Sequence, residues 1–132
     1  MRNRLKMKIF LGTDVCEIER IHSLYNRFGD KFLNKIYTQD EIQYCLSNAK
    51  LKAERLSARF AAKEAGAKAL GTGIQHGVSW KELEVRRAPG SRPILVLSGR
   101  ARAIAGQLGV TNVSLSLTHT ASLAMATVHL EV

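Results

Sequence analysis

Acidic residues are scarce in this chain: 11 Asp and Glu stand against 20 Lys and Arg, a formal net charge of +9. That balance favours polyanionic partners, whether nucleic acid, an anionic membrane surface, phosphorylated small molecules or an acidic protein. Aromatic residues make up only 6%, and neither a stacking platform nor a recognition-helix pattern appears. Their absence counts against a small basic nucleic-acid-binding domain, the main rival that the charge raises. The two cysteines, Cys16 and Cys45, have no metal-ligand spacing and read as small buried thiols in a reducing compartment. No apolar run approaches the ~18 residues of a membrane span. The apolar run after the basic start, Ile9-Phe10-Leu11, is cut off by Gly12 and Asp14, well short of the ~7–15 residues of a signal peptide. The chain therefore reads as soluble and cytoplasmic. It also lacks a Walker-type phosphate loop, a His-Glu-x-x-His pair and a Gly-x-Ser-x-Gly elbow.

What is present fits one domain over residues 1–132, with 45% hydrophobic and 23% charged residues. Repeats, low-complexity tracts and interdomain linkers are missing. Met7 to Val15 contains a short apolar run broken by Gly12-Thr13-Asp14, which predicts a strand ending at a turn. From Glu17 a helical period follows, with Ile18, Ile21, Tyr25 and Phe28 on one face and Arg20, Leu24, Arg27 and Lys31 on the other. Asp14 then lies at a strand-to-helix junction, as a phosphate or metal ligand or as a capping residue. The Arg20, Leu24, Arg27 face is either a dock for an acidic helix or simply solvated. Thr38 and Glu41 form a capping box ahead of a second helix.

The third and central helix carries Arg59-Phe60-Ala61-Ala62-Lys63-Glu64-Ala65 and stops at Gly71. At about 100° per residue, Phe60, Glu64, Ala67 and Lys68 share one narrow arc. The spacing admits an ordinary Glu64–Lys68 ion pair, or a polar site. Beyond Gly73 the period becomes alternating. A hairpin is predicted around Ala88-Pro89-Gly90-Ser91, then a helix capped by Ser98 and ending at Gly109. A second hairpin bends at Thr118-His119-Thr120 and returns through Leu123 to Val132. The order is strand, three helices, hairpin, helix, hairpin: an α+β domain with a mainly antiparallel sheet.

Asp14 and Glu64 are two carboxylates of the kind that hold Mg²⁺ alongside substrate phosphates. Arg59, Lys68 and His119 offer cations and donors for phosphate oxygens. The residues thus support a Mg²⁺-dependent enzyme acting on a phosphorylated small molecule.

Four stretches in order resemble the signatures of the 4′-phosphopantetheinyl transferases of the holo-acyl-carrier-protein synthase type. They are Gly12-Thr13-Asp14 through Ile21, Arg59 through Gly73, Gly90-Ser91-Arg92-Pro93, and Ser116-Leu117-Thr118-His119-Thr120. The similarity runs from about Met7 to Val132, leaving residues 1–6 as a disordered extension. Gly66 departs from the pattern, where the family more often has a larger residue.

The resemblance implies the family's fold and its reaction. That reaction moves 4′-phosphopantetheine from coenzyme A to a serine of apo-acyl carrier protein, supports fatty acid biosynthesis and releases adenosine 3′,5′-bisphosphate. It also implies that Asp14 and Glu64 ligate Mg²⁺, with Glu64, Lys68 and Asp14 catalytic. Coenzyme A contacts would be Arg59, Lys68, Gly71, Pro93, His119 and Thr120. The acidic carrier would dock on Arg20, Leu24 and Arg27. By the same resemblance the enzyme is a homotrimer with active sites at subunit interfaces.

Overall fold

The computed structural model describes residues 8–132; the extension expected over residues 1–6 lies outside the described residues. The chain runs β1 (Ile9–Glu17), α1 (Ile18–Phe28), α2 (Asp30–Ile36), α3 (Gln39–Leu46) and α4 (Lys52–Leu70). A 3₁₀ turn (Trp80–Glu82) then leads into β2 (Leu83–Arg86), β3 (Ile94–Leu97), α5 (Gly99–Leu108), β4 (Asn112–His119) and β5 (Leu123–Glu131). All strand pairing is antiparallel, in a three-stranded sheet of order β1-β5-β4 and a two-stranded sheet β2-β3. The α+β class therefore stands as expected. Among the described residues no helix is long and apolar enough to cross a membrane.

Three local expectations change. β1 does not break at Gly12: it continues through Asp14 to Glu17, paired with β5 throughout, Gly12 opposite Val128 and Asp14 opposite Ala126. Asp14 is thus a mid-strand residue and not a helix cap. The N-cap of α1 is Glu17, with no side-chain cap bond. The helical period that appeared to reach Lys31 is cut at Gly29, whose φ of 55° ends α1, so Lys31 belongs to the separate helix α2. The final bend falls at Thr120-Ala121-Ser122 because β4 runs through His119. The Thr120 hydroxyl accepts from the N–H groups of Ser122 (3.2 Å) and Leu123 (3.0 Å) and so closes it.

The capping box of α3 forms as predicted, Thr38 and Glu41 exchanging backbone and side-chain bonds. α4 ends at Gly71 in the left-handed conformation, as its sequence suggested. Small residues let this helix lie close to the sheet. Ala61, Ala62, Ala65 and Ala69 on α4 are buried, as are Ala124 and Ala126 on β5. A Cβ on Gly12 would overlap the Ala65 carbonyl oxygen and come within 2.7 Å of the Ala69 nitrogen, so the strand presses directly on the helix backbone. Gly66 meets the other sheet: a Cβ there would lie 2.7 Å from Leu83 Cδ2 and 3.0 Å from Leu95 Cδ2.

Glu41 has a second task. Its Oε1 receives Lys63 Nζ at 2.6 Å, and both side chains are fully buried. Lys63 also donates to the carbonyls of Leu83 (2.9 Å) and Trp80 (3.2 Å), while the Val85 N–H donates to Glu41 Oε2 at 2.8 Å. Burial lowers the Lys63 pKa from 10.5 against the opposing pull of Glu41. With its protons and acceptors satisfied, this pair ties α3 and α4 to the 3₁₀ turn and β2.

Candidate active site

The close approach at Gly12 decides where Asp14 points. Two residues further along β1, its carboxylate meets the end of α4: Lys68 Nζ donates to Asp14 Oδ1 at 2.9 Å and to the Thr13 carbonyl at 3.0 Å. Lys68 therefore pairs across 54 residues with Asp14, and the i,i+4 pair with Glu64 does not form among the described ion pairs. Glu64, half-buried one turn earlier, accepts instead from the indole N–H of Trp80, Nε1 to Oε2 at 2.8 Å. Cys16 sits nearby. Burial is the main force that pushes its thiol up to about 11, opposed by Arg20 and reinforced by Asp14, Glu17 and Glu64. Both Asp14 and Glu64 thus lie within electrostatic reach of one buried thiol.

No cluster of three or more His, Cys, Asp or Glu suited to a metal occurs among the described residues. Asp14 Oδ2 and Glu64 Oε1, one oxygen on each of the two expected carboxylates, lack hydrogen-bond partners among the described residues. Carboxylate oxygens of this kind suit a hard cation that completes its shell with water and phosphate oxygens.

A second focus surrounds Arg59, on another face of α4. Arg59 and Glu64 are five residues apart, about 140° around the helix axis. A pocket of about 390 Å³ is lined by Tyr44, Glu54, Arg55, Arg59, Pro93 and His119, among others. Arg59 is only 4% exposed, its guanidinium 4.3 Å from the Tyr44 ring centroid. Its Nε is buried without a hydrogen-bond partner among the described residues. Such a cation normally has an anion or acceptor to satisfy it. His119 Nε2 lies 3.3 Å from Glu54 Oε2 at the pocket edge. Three expected nucleotide contacts, Arg59, Pro93 and His119, therefore converge. Gly71 and Thr120 are not among the residues lining it; one closes α4 and the other closes the β4–β5 bend.

A groove of about 350 Å³ opens beside α1 and α2, lined by Arg20, Leu24, Lys31, Lys35, Phe60 and Trp80 together with Phe28, Phe32 and Ile36. The Arg20 guanidinium lies 5.9 Å from the Phe60 ring centroid, and the Lys35 ammonium 5.7 Å from that of Trp80. Leu24 is half-buried in it, packed against the core, and is not simply solvated. Arg27 is not among its lining residues; its guanidinium stacks over Phe28 at 5.1 Å. Trp80, Lys35 and Glu54 carry no local sequence signal, since each meets its site only through the tertiary fold.

Residues 10–128 match the family model of the 4′-phosphopantetheinyl transferase superfamily. The holo-[acyl-carrier-protein] synthase of Solibacter usitatus is 50% identical over 125 residues, covering 95% of this chain and 99% of that relative. Among solved structures, the holo-[acyl-carrier-protein] synthase from Neisseria meningitidis superposes with a TM-score of 0.82 at 33% identity, covering 93% of this chain and 98% of that one. The Helicobacter pylori enzyme in complex with coenzyme A gives 0.79 at 31% identity, covering 91% and 98%. The chain belongs to the 4′-phosphopantetheinyl transferase superfamily, among its holo-[acyl-carrier-protein] synthases.

Proposed function

We propose that this chain transfers 4′-phosphopantetheine from coenzyme A to a serine of apo-acyl carrier protein, with Asp14, Glu64 and Lys68 as the reaction centre. The observation that carries the assignment of roles is the close contact at Gly12, which sets the Asp14 carboxylate against the Lys68 ammonium at the end of α4. Mg²⁺ fits the two carboxylates, each of which keeps one oxygen clear of protein hydrogen bonds among the described residues. When bound, Mg²⁺ supplies charge neutralisation for the pyrophosphate.

The serine oxygen attacks the β-phosphorus of coenzyme A. Its bond to the bridging oxygen breaks, and adenosine 3′,5′-bisphosphate leaves with that oxygen's electron pair. Glu64 takes the hydroxyl proton through Oε1. The Lys68 ammonium, exposed on one side and held by Asp14 on the other, moves its charge to the phosphate oxygens of the leaving group. Arg59 receives a nucleotide phosphate, satisfying the guanidinium that lacks an acceptor at Nε among the described residues. His119, with Pro93, lines the same pocket and helps to seat that nucleotide end.

The acidic carrier docks in the Arg20–Leu24 groove, where cations stand around an apolar floor of Phe60 and Trp80. Assembly as a homotrimer suits the outer face of the three-stranded sheet, where Leu11, Val15, Leu123 and Met125 stand exposed. It also suits the division of the site residues between two faces of α4, which a neighbouring copy would complete. Incubation with coenzyme A, Mg²⁺ and apo-carrier tests the reaction. The carrier should gain the mass of one phosphopantetheine, and an unchanged carrier mass refutes the assignment.

A further inference from the structure

Trp80 is the only tryptophan of the chain, and the transfer chemistry above makes no use of it. Its indole is half-buried between two functional features. On one side Nε1–H donates to Glu64 Oε2 at 2.8 Å. The ring itself stacks on Phe60, with centroids 6.4 Å apart and planes at 28°, and forms part of the groove wall under Lys35.

The backbone that carries the indole is held firmly. The Trp80 carbonyl accepts from the buried Lys63 ammonium at 3.2 Å, and the Leu83 carbonyl takes another of its protons at 2.9 Å. A capping box between Ser79 and Glu82 closes the 3₁₀ turn itself. A buried ion pair thus fixes the turn, the turn fixes the ring, and the ring fixes one oxygen of a carboxylate. Glu64 is a flexible side chain on a half-buried face, and without this donor its carboxyl would sample several rotamers.

We propose that Trp80 is a positioning residue for Glu64: its indole N–H anchors Oε2 and turns Oε1 toward the reacting groups. The proposal rests on the transfer reading for its kinetic consequence and on geometry alone for the Trp80–Glu64 link, so the two are separable by experiment. Trp80→Phe keeps a ring against Phe60 and in the groove wall while deleting the N–H. We expect kcat to fall about tenfold, equivalent to ~1.4 kcal/mol in the barrier. KM for coenzyme A and for apo-carrier should stay within about twofold of wild type. An unchanged kcat, or a loss confined to the carrier's KM, overturns the proposal, because the ring would then be groove wall and nothing more.

A second measurement needs no turnover. With one tryptophan, the ¹⁵N-labelled wild-type protein gives a single indole N–H cross-peak. That peak should move markedly in Glu64→Gln, whose acceptor is uncharged, and an unmoved peak overturns the link even if Trp80→Phe proves unstable. A wild-type protein that fails to modify the carrier would sink the transfer reading and leave the cross-peak test standing.

Discussion

Replacing Lys63 by Met probes the deepest polar interaction in the fold. The side chain is similar in length and apolar, so the cavity cost is small and the electrostatic cost dominates. Loss of the ammonium leaves the Glu41 carboxylate fully buried, with the Thr38 (3.0 Å) and Val85 (2.8 Å) N–H groups as its remaining partners among the described residues. It also strips a donor from the Leu83 and Trp80 carbonyls. Removing one partner of a buried pair typically costs about 3–5 kcal/mol, because the surviving charge is uncompensated. At a slope of about 2 kcal/mol per molar urea, the unfolding midpoint should fall by roughly 2 M with the slope itself unchanged. Adding Glu41→Gln removes the orphaned charge, so the double variant should recover at least ~1 kcal/mol relative to Lys63→Met. Urea unfolding followed by circular dichroism measures all three proteins. A loss below ~1 kcal/mol for Lys63→Met, or a double variant less stable than the single one, would refute the reasoning.

Gly12→Ala should lower the melting temperature by roughly 10 °C, about 3 kcal/mol, because its Cβ meets helix backbone, which cannot rotate away; a shift under ~2 °C contradicts that packing. Burial pushes the Cys16 and Cys45 thiols up from 9.0 to about 11, opposed in part by Arg20 and Arg59 respectively. Their stabilisation is therefore complete below pH 9 and is lost as the pH rises through about 11, since the unfolded thiols ionise first. In urea titrations Cys45→Ala should remove roughly 1–2 kcal/mol of the stability lost between pH 8 and 10.5, and an unaltered pH dependence would count against its buried protonated state. Arg20→Glu should raise the carrier's KM about tenfold at low salt and less at high salt, with the KM for coenzyme A unchanged. An equal loss for coenzyme A would move Arg20 to the nucleotide site.

Elements with local signals were readable from the residues alone. The Thr38–Glu41 box, the stop of α4 at Gly71 and the end of α5 at Gly109 each carry their signal in a few neighbouring residues. Gly12 misled because a glycine in a short apolar run looks like turn punctuation; its true reason, the α4 backbone, lies more than 50 residues away. α2 has no boundary signal of its own beyond Gly29, which alone interrupts a period that otherwise continues into Lys31. The candidate site residues were visible as residue types, and their pairings were not. The i,i+4 spacing favoured Glu64 with Lys68, whereas strand β1 brings Asp14 to Lys68 and the 3₁₀ turn brings Trp80 to Glu64. Glu41 carries only a cap signal locally, because nothing nearby announces that the same carboxylate meets Lys63 across 22 residues.

The most direct test of the reaction centre compares wild type with Glu64→Gln, incubated with coenzyme A, Mg²⁺ and apo-carrier and followed by the carrier's mass. A change of one atom spares the packing of α4, so thermal stability should persist. Transfer should fall by at least ~10²-fold, the scale on which a missing general base is felt. Turnover at the wild-type rate in Glu64→Gln would contradict the account.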